Sequence, residues 1–291
     1  MNLLERMASE PLLADGAWGT QMQRLGLAAG EFPDHWNLLY PERVAEVAAS
    51  YVGAGSAIIL TNTFRANRVA LAAAGLAGET AAINRAGARI SREAAKGRAL
   101  VFASMGPTGK LVMASEIAPA EARDAFREQA AALAEGGADA LLVETMSDME
   151  EASLALAAAR ETGLPVWVSF AFDSGKNKDR TMTGVTPEHA ARRMTEEGAS
   201  GVGANCGVGI AEAAPICRRM RAATALPLWM KPNAGIPELE DGRLTYRVGP
   251  EQFASHIPAL VGAGANVVGG CCGAGPDFIR AAARALADLC G

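Results

Sequence analysis

Histidine and cysteine are scarce, at three and five in 291 residues. The histidines, His35, His189 and His256, lie far apart, show no metal-ligand spacing and are assigned no role. An odd and sparse set of cysteines argues against the disulfide framework of a secreted protein. Paired C-x2-C spacing is also missing, which removes the usual mark of a structural zinc site. Nor is there an excess of positive charge. Lys and Arg number 27 against 32 Asp and Glu, the net charge is −5, and both signs are interspersed without a basic arm. Neither nucleic acid nor an anionic membrane is therefore expected as a partner. In "MNLLERMASEPLL", Glu5, Arg6 and Glu10 interrupt any apolar core of signal-peptide length. The longest uncharged run, residues 257 to 276, holds Pro258, Asn266 and six glycines. It reads as a helix end, a turn and a strand rather than a bilayer span. A cytoplasmic location is expected.

What is present is a recurring pattern. About every 35 residues a helical segment rich in Ala and Glu ends at Gly, and a short apolar run and a polar or glycine-rich turn follow. The apolar runs are "PLLADGA" (11–17), "SAIILTNT" (56–63), "ALVFASMGP" (99–107), "ALLVETM" (140–146), "PVWVSFAFD" (165–173), "GVGANC" (201–206), "PLWMKPNA" (227–234) and "NVVGGCC" (266–272). They are short, often β-branched and not strictly alternating, as in strands buried on both faces of a parallel sheet. Between them, "PERVAEVAASYVGAG" (41–55) and "EARDAFREQAAALAEGG" (121–137) repeat apolar residues at three and four and close with glycine. Pro187 in "TPEHAARRMTEEG" and Pro250 in "GPEQFASHIPALVGAG" stand where a first helical turn would start. Eight strands alternating with eight helices predict an α/β fold, a (β/α)8 TIM barrel. No linker divides the chain, so one domain over residues 1–291 is expected.

Active sites of such barrels form at the C-terminal ends of the strands. Those ends carry Asp15, Thr63, Gly106, Glu144, Asp173, Asn205 with Cys206, Lys231 with Asn233, and Cys271 with Cys272. Cys206 ends the sixth strand and Cys271 and Cys272 the eighth, so the two ends lie roughly 10 Å apart at about 4.8 Å per strand. Inward-reaching side chains from both can meet at one ion. Three thiolates suit zinc and leave its fourth position open, as in a catalytic site. Other readings stand beside this one. Buried cysteine also serves as a small hydrophobe, the reading given to Cys217 and Cys290. A strained vicinal disulfide at 271–272 is a further possibility. An open zinc site can take a substrate thiol as its fourth ligand and hold it as thiolate at neutral pH, ready to attack an electrophilic carbon.

The segments "LLADGAWGTQM", "LTNTFRAN", "GPTG", "VETMSDMEEA", "GANCGVG", "KPNAGIP" and "GGCCG", in this order from about residue 11 to 280, resemble the motifs of the zinc-dependent homocysteine S-methyltransferases. "RTMTGVTP" (180–187) and "NAGIPELEDG" are similar to bacterial single-domain betaine–homocysteine methyltransferase-like members. The resemblance implies a (β/α)8 barrel, Zn2+ on Cys206, Cys271 and Cys272, and homocysteine as methyl acceptor, giving methionine. It also implies that Asp15, Gly16, Thr63 and Glu144 hold the amino-acid end of homocysteine. Two carboxylates suit an ammonium group, and backbone N–H near Gly16 and Thr63 suits a carboxylate. Asn205 is a candidate to orient the thiolate or the substrate, and Asn233 to shape the neighbouring pocket.

For the methyl donor, betaine is favoured, with Trp36 near the position where betaine enzymes carry a donor-site tryptophan. Two tyrosines of the animal enzymes are replaced here by Arg65 and Thr145. "TNTF" followed by a non-aromatic residue looks more like the methionine-synthase module, which takes its methyl from methylcobalamin and would need a separate corrinoid protein as partner. S-methylmethionine is a third donor. Outside this class, Lys231 admits a Schiff-base nucleophile of a barrel lyase or an ordinary salt-bridged lysine. A protein that binds zinc and homocysteine without transferring anything is a further reading. "GPTGK" (106–110) fails phosphate-loop spacing, with Leu111 where a hydroxyl belongs. "DSGKNKDR" (173–180) reads as a mobile solvated loop or a lid.

Overall fold

A computed structural model describes residues 10–235, 238–240 and 243–290. Its strands are β1 (Leu12–Leu13), β2 (Ile58–Leu60), β3 (Leu100–Met105), β4 (Ala140–Met146), β5 (Val166–Phe170), β6 (Gly201–Gly209), β7 (Leu228–Asn233), β8 (Glu238–Glu240), β9 (Arg243–Thr245) and β10 (Val267–Val268). Eight of them form one sheet in the order β1-β10-β7-β6-β5-β4-β3-β2. Every pair in it is parallel. The two edges meet through a parallel bridge between Ala14 and Ile58, with Ala57 N–H donating to Leu13 O at 2.8 Å. The sheet therefore closes on itself as the expected (β/α)8 barrel.

The barrel interior is filled from below by Phe102, Trp167 and Trp229, all without solvent exposure. Phe102 stacks on Trp229 with centroids 5.6 Å apart, and Trp167 meets Trp229 edge-on at 6.1 Å. With Leu12, Ile58, Leu60, Leu142 and Val267 these rings form a separate inner core. Polar chemistry is thereby confined to the rim above them. The outer faces of the strands pack on the helices in a second core. In the helix Pro41–Gly53, Val44, Val47, Ala48 and Tyr51 are buried, the three-and-four spacing that turns one face inward. In Pro119–Glu135 the same spacing buries Phe126 and Leu133, each contributing roughly 1.5–3 kcal/mol. Thr186 caps the helix Pro187–Glu196 by accepting from His189 N–H at 3.3 Å.

Three expectations need correction. The single helix expected after Gly249 is broken into Pro250–Ala254 and Ile257–Gly262, because Pro258 falls in a new first turn. An antiparallel hairpin, β8 with β9, lies between β7 and β10. The ladders of β1 and β10 are only two residues each, shorter than the apolar runs 11–17 and 266–272. In both cases the chain leaves the ladder just before the residues that build the site. No helix among the described residues is long and apolar enough to cross a membrane.

Candidate active site

Cys206 sits near the end of β6 with φ +56°, followed by Gly207 at φ +68°. Left-handed backbone at a non-glycine residue is held only where its surroundings demand it. Gly207 has no alternative, since a Cβ there would come within 2.6 Å of Phe172 O. Beyond β10, the Cys271–Cys272 turn is clamped to the end of β7. Cys271 N–H donates to Pro232 O at 2.7 Å, Cys272 N–H to Asn233 Oδ1 at 3.1 Å, and Ala234 N–H to Cys272 O at 3.0 Å.

The three sulfurs lie within 4.8 Å of one another, and Cys206 Sγ is 3.8 Å from Cys272 Sγ. A tetrahedral ion with Zn–S bonds of about 2.3 Å requires sulfurs about 3.8 Å apart. The cluster fits such an ion, and all three thiols are free. Hydrogen bonds from Cys271 and Cys272 lower the Cys206 thiol, while their bonding to Cys206 raises Cys271 and Cys272. The three thiols are thus coupled to one another, and a cation would favour all three as thiolates. Cys217 contrasts with them. It is buried in the helix Ile210–Arg221, and burial pushes its thiol up to about 12, as suits an inert core residue. The side chain of Cys290 lies outside the described residues.

The cysteines share a cavity of about 300 Å³ with Glu144, Lys231 and Thr63, at the lower end of the range for small-ligand sites. Glu144, on β4, accepts from the Ser104 hydroxyl and from Asn205 Nδ2 at 3.1 Å. Burial raises its carboxyl, and the Lys231 charge and the Ser104 bond pull it back. Asn205 Oδ1 in turn accepts from Thr145 N–H at 2.9 Å and from Ser169 Oγ at 2.6 Å. Asn205 therefore orients Glu144, not the sulfurs. Asn233 supports the Cys271–Cys272 turn through its Oδ1, and its side chain also bonds the Cys206 thiol. Gly16 lines the cavity, and a Cβ on it would meet Ala274 O at 2.1 Å, so only glycine fits. Thr63 lines it too, with its hydroxyl donating to Ser104 O at 2.7 Å.

Two expected site residues stand elsewhere. Asp15 is fully buried behind the wall, and its carboxylate already has partners in the Lys231 ammonium, Trp18 Nε1 at 2.7 Å and Leu60 N–H at 2.7 Å. Direct contact with a substrate ammonium would require exchange with Lys231. Trp36 is buried at 2 % exposure in the outer core, edge-on to Tyr40 at 5.1 Å, with the Arg43 guanidinium 5.2 Å from its ring. It does not line the cavity; Trp18 and Phe64 do. Sequence reasoning passed over Trp18, Ser104 and Asp34, and named Lys231 and Asp15 without pairing them. Only Trp18 had a local signal, its position three residues after Asp15 at the start of a helix.

Other motifs resolve simply. In "GPTGK", Thr108 N–H and Oγ1 donate to Glu151 Oε1 at 2.7 and 2.6 Å, so a carboxylate already takes the turn's donors. In the 173–180 loop, Asp179 pairs with Arg219 at 2.6 Å. Lys231 and Asp15 form a buried ion pair, the salt-bridged reading of that lysine.

The comparisons agree with this geometry. The sequence model described as "Homocysteine S-methyltransferase" matches residues 12–286. Methionine synthase of Mycobacterium leprae is 30% identical over 98% of this chain and 25% of its own length. That of Mycobacterium tuberculosis is 29% identical over 99% of the chain and 26% of its own. The chain thus spans about a quarter of the length of these curated relatives. Among solved structures, the metallated form of the homocysteine methyltransferase MmuM from Escherichia coli superposes with a TM-score of 0.81 at 22% identity, covering 97% of this chain and 99% of that one. The carboxyl transferase domain of Rhizobium etli pyruvate carboxylase shares only the barrel, at 14% identity and a TM-score of 0.54. With the family match running from β1 into the last helix and including all three cysteines, this chain belongs to the homocysteine S-methyltransferase family.

Proposed function

We propose that the chain transfers a methyl group from a small donor to the sulfur of homocysteine, giving methionine, with zinc held by Cys206, Cys271 and Cys272. The observation that carries this reading is the placement of three converging thiols in the wall of a cavity that also presents Glu144 and Lys231. Glu144 takes the ammonium of homocysteine, held in place by Ser104 and Asn205. Lys231, anchored by Asp15, takes the carboxylate, together with backbone N–H near Gly16 and Thr63. Zinc at the cysteines would hold the substrate thiol as thiolate at neutral pH, where a free thiol with a pKa near 8.5 stays mostly protonated.

The homocysteine sulfur then attacks the donor methyl carbon. As the new C–S bond forms, the bond from the methyl to the donor heteroatom breaks, and its electron pair stays with the donor. The thiol proton is released to solvent. Fixing the amino-acid head aligns the sulfur, and alignment is a large part of the rate such a site can supply. Betaine is the favoured donor. A second reading, methylcobalamin carried by a separate corrinoid protein, is supported by the mycobacterial relatives named methionine synthase, of which this chain covers a quarter. The test is metal analysis beside turnover. Purified protein should hold one zinc per chain, and alanine at any one of the three cysteines should remove zinc and activity together. A Cys271→Ala protein that keeps both would sink the assignment.

A further inference from the structure

The cavity has a second polar feature that the homocysteine reading does not use. Asp34 lines it and is 1 % exposed. Its Oδ1 accepts from Arg65 N–H at 2.9 Å, but its Oδ2 is buried without any hydrogen-bond partner. A buried, unpartnered carboxylate oxygen is costly, and such groups concentrate where a ligand completes them. Burial lifts the Asp34 carboxyl to about 6, with the Arg65 N–H and charge opposing. Arg65 lines the same cavity. Its guanidinium lies 4.1 Å from the Phe32 ring centroid and has no carboxylate partner among the described residues. Trp18 and Phe64 add ring surface to the cavity wall. The Trp18 ring is fixed by its bond to Asp15, and aromatic rings attract onium groups.

We propose that Asp34 and Arg65 set the methyl-donor specificity of this cavity, Asp34 receiving the donor's methylated cationic centre and Arg65 its carboxylate. This rests on reading the cavity as a methyl-transfer site. A carboxylate together with the Trp18 and Phe64 rings takes the place of the cage that Trp36 was expected to begin. Cavity size points the same way: about 300 Å³ leaves room for two small molecules, whereas a corrinoid ring would have to sit across the mouth. Glycine betaine and S-methylmethionine share the required chemistry. They differ in the methylated centre, a quaternary nitrogen in glycine betaine and a sulfonium in S-methylmethionine.

The test is calorimetric binding of glycine betaine, S-methylmethionine and choline to zinc-loaded protein saturated with homocysteine, for wild type, Asp34→Asn and Arg65→Met. Methionine formation is followed separately. Asp34→Asn keeps the shape and an acceptor for Arg65 N–H, so it should fold. The inference expects at least one zwitterion to bind, Asp34→Asn to weaken it tenfold or more, and Arg65→Met to abolish its advantage over choline. Homocysteine affinity should change less than threefold in both variants. Stronger betaine binding identifies the quaternary ammonium, and stronger S-methylmethionine binding the sulfonium amino acid. If neither zwitterion binds, if Asp34→Asn binds as wild type does, or if only methylcobalamin gives methionine, the inference is overturned. Donor binding controlled by Asp34 without methionine formation would instead fail the methyl-transfer reading alone.

Discussion

The side-chain amide of Asn205 donates to Glu144 at 3.1 Å, joining the residue beside the first cysteine of the cluster to the carboxylate that faces the cavity from two strands away. Sulfur site and head-group site are thus set by one segment of β6. A change at Asn205 is expected to act on the substrate head and spare the metal.

Asn205→Ala should raise the homocysteine KM about tenfold or more, since a hydrogen bond to a charged group contributes roughly 1.5–3 kcal/mol. Zinc content should stay at the wild-type value. Steady-state kinetics with metal analysis on the same preparation checks both. Loss of zinc would show that Asn205 serves the sulfurs after all.

The buried Lys231–Asp15 pair gives a stability expectation. Lys231→Met leaves a carboxylate buried without its counter-charge, and breaking such a pair costs about 3–5 kcal/mol. Chemical denaturation should show that loss. Adding Asp15→Asn to Lys231→Met should recover part of it. Borohydride with any carbonyl substrate should trap nothing on Lys231, because its ammonium is engaged; a trapped adduct would revive the lyase reading.

Asp34 gives a pH expectation of definite sign. Its carboxyl rises from the ordinary 3.8 to about 6 on folding. The folded state therefore holds the proton more tightly. The stability gained from it is complete below about pH 4 and is lost as pH rises through 6. At 1.36 kcal/mol per unit, the loss is up to about 3 kcal/mol. Asp34→Asn should melt higher than wild type at pH 8 and about equally at pH 4. A variant less stable at pH 8 would show that Oδ2 has a partner. The combination of higher stability and weaker donor binding would mark a site kept at a cost to the fold.

Cys217→Ala separates the cluster from the remaining cysteine chemistry. Cys217 is buried against Leu260 and Ala263 carbonyls, so the variant should keep full zinc content and activity while losing about 1 kcal/mol of stability from the smaller side chain.

Much of this was readable along the chain because parallel strands buried on both faces announce themselves as apolar runs, and their ends are where barrel chemistry collects. Cys206, Cys271 and Cys272 were found that way. Less readable were features that depend on side chains meeting across the barrel. Lys231 and Asp15 are 216 residues apart, and nothing local marks them as partners. Trp18 and Trp36 look equally available in the sequence. The helix that starts at Trp18 turns its indole N–H back onto Asp15, while Trp36 faces the outer core under Arg43. The free oxygen of Asp34 is a property of what surrounds it, so no motif could show it. Pro250 marks a helix start in the sequence, but the second start at Pro258, which separates Pro250–Ala254 from Ile257–Gly262, is evident only in the fold.

The central claim is tested most directly by methionine formation from homocysteine with purified, zinc-loaded protein, offered glycine betaine, S-methylmethionine and methylcobalamin in separate reactions, beside Cys271→Ala. The expected result is methionine from a small onium donor, and none from Cys271→Ala, which should also lack zinc. Protein that holds one zinc per chain and gives no methionine with any of the three would contradict it.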